Sequence, residues 1–168
     1  MKTRTVLLVS AVAVLVIIAV AVVGNLPNQP SHSSNPPSPP QPPPPAAQSC
    51  KGSALCLSRE VVRVIDGDTL DIVGGMRIRL VLVNAPELSE TGGPEAKAFL
   101  ESLCFGVRAL IDEDDFQVGD DPYGRVLAIV YCDGTNANAA MIHSGYASLY
   151  TRFCSVSEFQ YEPWTGCP

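Results

Sequence analysis

Three apolar runs between Val61 and Glu87 constrain the fold of this chain more than any other feature. The runs are Val61–Ile65, Leu70–Val73 and Met76–Val83. The first two are rich in branched residues and the third alternates arginine with aliphatic side chains, which is typical of β-strands. Gly74-Gly75 separates the second run from the third and predicts a two-residue hairpin with positive φ. This hairpin would place Asp68 and Arg79 on neighbouring strands.

The rest of the chain supplies further elements in a consistent order. Pro94–Leu103 begins with proline, carries glutamate in its first turn and has apolar residues at helical spacing, so it predicts a helix. Val107–Ile111 and Val126–Tyr131 are two more strand candidates, and Ala137–His143 is a second helix that ends before Gly145. Five strands and two helices in this order predict an α+β fold, mainly β: a small five-stranded barrel with two or three helices packed outside it.

The charge of the chain excludes one way of binding polyanions. Lys2 and Arg4 are the only charged residues before Cys50, which leaves nine basic against seventeen acidic side chains, a formal charge near −8 for residues 50–168. Diffuse attraction to a nucleic acid depends on a basic field that releases counterions, and this chain has none. A bound polyanion would therefore be held locally, by a few arginines and a metal ion.

Two segments precede the predicted domain, and we divide the chain into residues 1–24, 25–48 and 49–168. Residues 6–23 are apolar except for Ser10 and follow two basic residues, which predicts either a signal peptide or an uncleaved single-pass anchor with its N-terminus inside. Residues 25–48 contain ten prolines and predict an extended stalk. We therefore expect an extracytoplasmic domain, anchored to the cell membrane through residues 6–23 or secreted.

All six cysteines lie beyond the apolar segment, and an even number of exported cysteines favours disulfides. Six cysteines allow fifteen pairings. We expect Cys50–Cys56 and Cys154–Cys167, because each closes a short terminal loop, and then Cys104–Cys132 across the core. A metal site built from these cysteines is disfavoured because the sequence has no CxxC pair or Cys/His cluster.

Several polar residues in or beside the predicted strands could serve phosphodiester chemistry. Asp68 and Asn84 carry oxygen ligands that suit a hard cation such as calcium. Arg79 and Arg125 offer guanidinium groups, which match phosphate oxygens in pairs. Glu87 follows a proline-fixed bend and could hold or deprotonate a water molecule. Each residue taken alone also has an ordinary explanation, as a turn cap, a solvated strand residue or a loop residue.

Taken together, these residues fall in motifs that resemble the staphylococcal-nuclease-like, or thermonuclease, family. The motifs are IDGDTL at 65–70, RLVLVNAPE at 79–87, GPEA at 93–96, DPYGR at 121–125 and YCDGTNANAAMIHSGYA at 131–147. The resemblance implies an OB-like barrel and a calcium-dependent endonuclease that hydrolyses DNA and RNA to give 3′-phosphate ends. It covers nearly everything from Val61 to Tyr150, and we expect a monomer.

The resemblance also implies a role for individual residues. It assigns catalysis to Arg79, Glu87 and Arg125. It implies calcium ligands at Asp68, at Asn84 and at the backbone carbonyl of Ala85. Nucleotide contacts are implied at Tyr123 and Tyr150, although the match is loose at the second.

The chain departs from the family pattern at three places. Asn84 stands where the family motif has aspartate, which should weaken calcium binding or loosen the choice of metal. The lysine-rich loop after the PE motif is reduced to residues 88–92, so basic contacts to a longer substrate are lost. The long C-terminal helix is also reduced, and a Cys154–Cys167 bridge is a plausible replacement for it.

Other interpretations stay open. An OB-like barrel can also bind single-stranded nucleic acid without cutting it. The run Asp112–Asp115 does not fit a calcium loop of the EF-hand type, because Phe116 and Tyr123 occupy ligand positions, and is predicted to be a solvated acidic turn. Phe159 and Trp164 are predicted to cover the barrel rather than to stack on bases.

Overall fold

The computed structural model describes residues 49–119 and 121–168. The predicted membrane segment, residues 6–23, and the predicted stalk, residues 25–48, lie outside these residues. Within the two described ranges, no helix combines the length and the apolar character needed to cross a membrane.

A closed barrel forms the centre of the domain. The strands are β1 Cys56–Val64, β2 Thr69–Ile72, β3 Arg77–Leu80, β4 Val83–Asn84, β5 Arg108–Glu113, β6 Val126–Cys132, β7 Thr135–Asn136 and β8 Ser148–Leu149. The pairing order is β3-β2-β1-β5-β6, and β6 returns to pair in parallel with β3, which closes five strands on themselves. β7 pairs antiparallel with the end of β6, and β4 pairs with β8 in a small second sheet. The predicted α+β, OB-like five-stranded barrel is confirmed.

The third predicted strand is shorter than its alternating pattern suggests. Regular pairing ends at Leu80, and the chain turns at Val81 and Leu82 before β4 begins. Leu82 has a φ of 61°, which is unusual for a residue with a side chain. Both Val81 and Leu82 are buried against Ile129 and Phe159 in a second apolar cluster. A regular strand would send successive side chains to opposite faces, so the turn is what allows both residues to be buried.

The β2–β3 hairpin also differs from the prediction. Gly75 N donates to Ile72 O at 3.1 Å, and Ile72 N donates to Met76 O at 3.0 Å. The loop therefore contains three residues, Val73, Gly74 and Gly75, rather than two. The two glycines have φ values of 103° and 84°, so the predicted need for positive φ is confirmed.

Both predicted helices are present. α1 spans Gly93–Cys104 with proline in its first turn, and α2 spans Ala137–His143. The side chain of Asn136 caps α2 by accepting from Ala139 N at 2.9 Å. A 3-10 helix, Thr151–Val156, follows β8.

The apolar side chains form two clusters. The larger fills the barrel and the space beneath α1 and α2. The smaller lies under the C-terminal segment, where Phe159 is 1% exposed and Trp164 is 9% exposed. The prediction that these two aromatic residues cover the barrel is confirmed.

Three disulfides connect the predicted pairs. Cys50–Cys56 links the segment before β1 to the first residue of that strand, and Cys154–Cys167 forms a loop in the C-terminal segment. Cys104–Cys132 joins the end of α1 to the end of β6. The last pair is fully buried in the main cluster. It therefore fixes the helix to the barrel from inside.

The run Asp112–Asp115 is not the solvated acidic turn that was predicted. Its carboxylates accept hydrogen bonds from the backbone of residues 51–55, which precede β1, and we call this run the acidic clasp. Asp112 accepts from Lys51 N at 3.0 Å, and Asp115 accepts from Ser53 N and Ala54 N at 2.7 Å each. Glu113 accepts from Leu55 N at 3.1 Å. The prediction failed because these donors lie about sixty residues away in the sequence.

Asp114, within the acidic clasp, is completely buried and binds the other end of the domain. It accepts from Glu158 N at 3.2 Å and from Gln117 Nε2 at 2.7 Å. Glu158 in turn accepts from Asp115 N at 2.8 Å. The clasp thus holds the segments before β1 and after the 3-10 helix together.

A buried asparagine fixes the turn between β3 and β4. Asn138 is completely buried in α2, and its amide donates to Val81 O at 2.9 Å and to Ala128 O at 3.1 Å. Its side-chain oxygen accepts from Val130 N at 3.0 Å. One side chain therefore connects α2, β6 and the turn that carries Leu82.

We expect Asn138→Ala to lower the free energy of unfolding by about 3 kcal/mol, because it leaves a buried N–H and at least one buried carbonyl without a partner. Asn136→Ala on the same helix removes only a cap and should cost about 1 kcal/mol. Urea denaturation of both variants measures the difference. Equal losses would show that the three buried hydrogen bonds contribute little.

The acidic clasp predicts a pH effect. Hydrogen bonds from Ala54 N and then Ser53 N lower the pKa of Asp115. A lowered pKa stabilises the fold above the ordinary aspartate value of about 3.9, and this contribution is lost as the pH falls through the folded-state pKa. Asp115→Asn should therefore lower the urea midpoint at pH 7, and its deficit should shrink below about pH 4. Glu101→Gln, which removes an exposed carboxylate from α1, is the control, and a deficit independent of pH would contradict the assignment.

Candidate functional site

A cleft of about 700 Å³ opens beside β3, where the chain before β2, the start of β6 and the 3-10 helix meet. Seven of the eight residues singled out from the sequence line it: Asp68, Arg79, Asn84, Glu87, Tyr123, Arg125 and Tyr150. Ala85, the eighth, lies just behind the wall and contacts Asp68 through its backbone. The structure therefore brings residues from three separate motifs, together with Tyr150, to one place.

Asp68 lies at the base of this arrangement and is 7% exposed. Its Oδ2 atom accepts from Ala85 N at 2.9 Å, and its Oδ1 atom accepts from Thr69 Oγ1 at 3.1 Å. The backbone carbonyl of Asp68 accepts from Leu80 N at 2.8 Å, which continues the β2–β3 ladder. The carboxylate thus joins the start of β2 to the turn after β4.

Arg79 projects from β3 toward the same carboxylate. Its Nη1 atom forms an ion pair with Asp68 Oδ1, although the alignment is not that of a hydrogen bond. The side chain is 13% exposed. The predicted adjacency of Asp68 and Arg79 is confirmed, since Arg79 pairs directly with Thr69 across the two strands.

Arg125 is held in place by a carboxylate from its own loop. Its Nε and Nη2 atoms donate to Asp121 at 3.1 and 2.8 Å, and Nη1 lies 3.4 Å from Thr69 Oγ1. Hydrogen bonds from Arg125 lower the pKa of Asp121, so that carboxyl stays ionised. The guanidinium also lies 5.1 Å from the ring centre of Tyr123, which is 80% exposed at the mouth of the cleft.

Asn84 at the end of β4 and Glu87 in the turn that follows both line the cleft, and both side chains are exposed. Glu87 N donates to Glu90 Oε2 at 3.0 Å, which fixes the backbone and leaves the Glu87 carboxylate facing the cleft. Asn84 pairs with Ser148 of β8.

Two glycines allow the loop before β2, the turn after β4 and the start of α1 to pack closely together. A Cβ on Gly67, in the loop before β2, would lie 2.5 Å from Ala85 Cβ and 2.7 Å from Ala96 Cβ in α1. A Cβ on Gly93 would collide with the carbonyl of Glu87. The close packing of these three segments therefore needs glycine at both positions.

The opposite wall of the cleft was not predicted from the sequence. It consists of Phe153 and Val156 from the 3-10 helix, beside Tyr150. Tyr150 contacts Phe153 edge to face, with ring centres 4.7 Å apart, and Tyr150 N donates to Leu82 O at 2.8 Å. The segment has no periodic pattern to mark it, so only its position after Tyr150 pointed toward the site.

Sequence reasoning also missed the roles of two polar neighbours of the cleft, Asp121 and Thr69, and for Asp66 it anticipated only the turn cap. Asp121 and Thr69 orient Arg125, and both lie inside motifs quoted above, four and fifty-six residues from it. Asp66 lines the cleft, and its Oδ1 atom accepts from Asp68 N at 3.0 Å, the ordinary turn-capping role. Burial raises the pKa of Asp66, and the nearby charge of Asp68 adds to the effect.

The donor atoms at the base of the cleft fit a calcium ion only as an open site. Asp68, Asn84 and the carbonyl of Ala85 offer oxygen and no nitrogen or sulfur, which is the donor set of a hard cation. Each carboxylate oxygen has two lone pairs, so the hydrogen bonds of Asp68 leave acceptor capacity. In residues 49–119 and 121–168 no three His, Cys, Asp or Glu side chains form a cage. Water and substrate would have to complete the coordination.

Comparison with known proteins agrees with this geometry. The model of the staphylococcal nuclease homologue family matches residues 77–163. Protein ParB of Escherichia coli is 39% identical over 106 residues, which cover 56% of this chain and 58% of that protein. Micrococcal nuclease of Shigella flexneri is 33% identical over 113 residues, which cover 60% and 63%. An uncharacterized endonuclease of Escherichia coli is 38% identical over 97 residues, which cover 55% and 61%.

The chain therefore spans about 60% of the length of these relatives. The family match, in contrast, extends over more than half of the chain and includes β3 to β8 with both helices. The chain belongs to the staphylococcal nuclease family.

Proposed function

We propose that this protein is a calcium-dependent endonuclease that hydrolyses phosphodiester bonds of DNA and RNA and leaves 3′-phosphate ends. One observation carries the proposal: Arg79, Glu87 and Arg125 come from three different segments and line one cleft. Family membership and relatives named as nucleases support it.

In this mechanism the two arginines bind the scissile phosphate. Arg79 is fixed by Asp68 and Arg125 by Asp121, so neither guanidinium has to be ordered when substrate arrives. Both would donate to the non-bridging oxygens, and their hydrogen bonds strengthen as negative charge grows in the transition state. A fixed guanidinium near the leaving oxygen lowers the energy of its departure.

Glu87 would position or deprotonate the attacking water. Glu87 lines the same cleft as the arginines and is exposed, so water can reach its carboxylate. Pro86 and the hydrogen bond between Glu87 N and Glu90 hold its backbone. Proton transfer to such a carboxylate contributes typically 10²–10⁴-fold to a hydrolysis rate.

Asp68, Asn84 and the Ala85 carbonyl would hold the calcium ion, and Tyr123 and Tyr150 would contact the nucleotide. A calcium ion bound there supplies positive charge that polarises the phosphate. Because Asn84 replaces a carboxylate with a neutral amide, this chain would need more calcium than a site with two aspartates.

We further propose that the enzyme acts outside the cytoplasm as a monomer, either tethered through residues 6–23 or released. The three disulfides support an oxidising compartment, since such bonds persist outside the cytosol. The two basic residues before the apolar segment support an N-terminus that stays inside.

Glu87→Gln tests the assignment. The full-length chain should degrade single-stranded DNA in millimolar calcium, and the degradation should stop when a chelator is added. Glu87→Gln should lower kcat by about 10²–10⁴-fold at an unchanged melting temperature, because the side chain is exposed and carries no structural contact. Glu101→Gln, an exposed substitution on α1, should keep full activity.

The same experiment separates the enzyme from a binding module. Intact DNA after incubation with calcium, together with tight binding of a labelled oligonucleotide, would favour an OB-like domain that binds single strands without cutting them.

Asn84→Asp tests the metal site. The added carboxylate should strengthen calcium binding about tenfold, because hard cations prefer charged oxygen ligands. Isothermal titration of the substrate-free protein measures the affinity, and the calcium dependence of hydrolysis should shift in parallel. Asn84→Ala should shift both in the opposite direction. An affinity that is the same in all three proteins would place calcium elsewhere.

A further inference from the structure

A pair of arginines beside the cleft has no part in the mechanism above. Arg63 in β1 and Arg77 in β3 both bind Asp71, which lies between them in β2. Arg63 donates to Asp71 from Nε at 3.0 Å and from Nη2 at 2.5 Å. Arg77 donates from Nε at 2.7 Å and from Nη2 at 3.2 Å. We call Arg63 and Arg77 the arginine pair.

The pair is both rigid and available. Side-chain exposure is 61% for Arg63 and 45% for Arg77, against 13% for Asp71. In the part of the chain that the structure describes, neither Nη1 group donates a hydrogen bond, so each guanidinium keeps one free end. Two cations share one anion, which leaves a net positive charge on the surface of a strongly acidic domain. Asp66 also lines the cleft, and its charge acts on Arg77.

The pair is also continuous with the cleft. Arg77 lines it directly, and Arg77 and Arg79 are two residues apart on β3, so they project from the same face of the sheet. Their Cα atoms are about 6.8 Å apart at a strand rise of about 3.4 Å per residue. This distance is similar to the spacing of successive nucleotides in an extended single-stranded nucleic acid. The arginines therefore form a row that leads from the phosphate-binding Arg79 out of the cleft.

We propose that Arg63 and Arg77 bind the phosphate of the nucleotide next to the scissile one. This inference rests on the proposed nuclease function and deepens it: the site makes the enzyme favour polynucleotides over substrates with a single phosphate. Asp71 acts as a positioning residue that holds both guanidinium planes toward the strand. Local binding by two ordered arginines also suits a domain that has no general basic field.

The double variant Arg63→Gln/Arg77→Gln tests the site in the full-length chain. KM for a short single-stranded DNA oligonucleotide should rise about tenfold, with kcat unchanged, because a uniform binding contact is removed. Hydrolysis of a thymidine phosphate nitrophenyl ester, which has no second phosphate, should not change. The double variant Arg59→Gln/Arg108→Gln removes two exposed arginines that do not line the cleft, so it is the control matched in charge and should behave as wild type.

Binding to the Glu87→Gln protein gives a readout that does not need catalysis. The slope of log affinity against log salt should become shallower by about 0.7 when the phosphate contact is lost. An unchanged slope and KM, with normal cleavage, would overturn the second phosphate site and leave the proposed function intact. If the wild-type protein cleaves neither substrate, the proposed function is overturned. The dependence of binding affinity on salt would still report on the arginine pair.

Discussion

The buried carboxylate of Asp68 is the interaction on which the rest of the cleft depends. It accepts from the backbone of Ala85 and contacts Arg79, so a single anion fixes both the turn that follows β4 and the arginine of β3. A buried charge without partners would be expensive, and here the cost is met by hydrogen bonds and an opposite charge. The proposed calcium ligands Asn84 and Ala85 belong to the segment that this hydrogen bond anchors. Fold stability and site geometry are therefore properties of one group.

Arg125 is held in the same way, by a carboxylate of its own. Asp121 holds Arg125 through two hydrogen bonds, and Asp71 does the same for Arg63 and Arg77. Each arginine at the cleft is oriented by a carboxylate behind it before any substrate binds. An acidic chain can in this way present positive charge at chosen points. Its repulsion of polyanions elsewhere would limit binding to strands that enter the cleft.

How far the sequence predicted this structure depended on the range of the interactions. The strands, both helices and the residues of the cleft were predictable, because periodicity and motif spacing are local properties. The turn at Leu82 was not, since it depends on burial against Phe159, seventy-seven positions later. The prediction for residues 112–115 was wrong for the same reason. Four successive acidic residues are usually solvated, and the backbone groups that donate to them are far away in the chain. Phe153 and Val156 carry no local pattern that marks a cleft wall.

The acidic clasp has a mechanical consequence. Tension applied to the chain at residue 49 would pass from Cys50 through the disulfide to Cys56, so residues 51–55 would carry none of it while that bond is intact. With the bond reduced, the same tension would run through residues 51–55, and the hydrogen bonds to Asp112, Glu113 and Asp115 would have to break before it reached β1. The clasp is therefore a second, non-covalent attachment of the segment at which the stalk is predicted to join the domain.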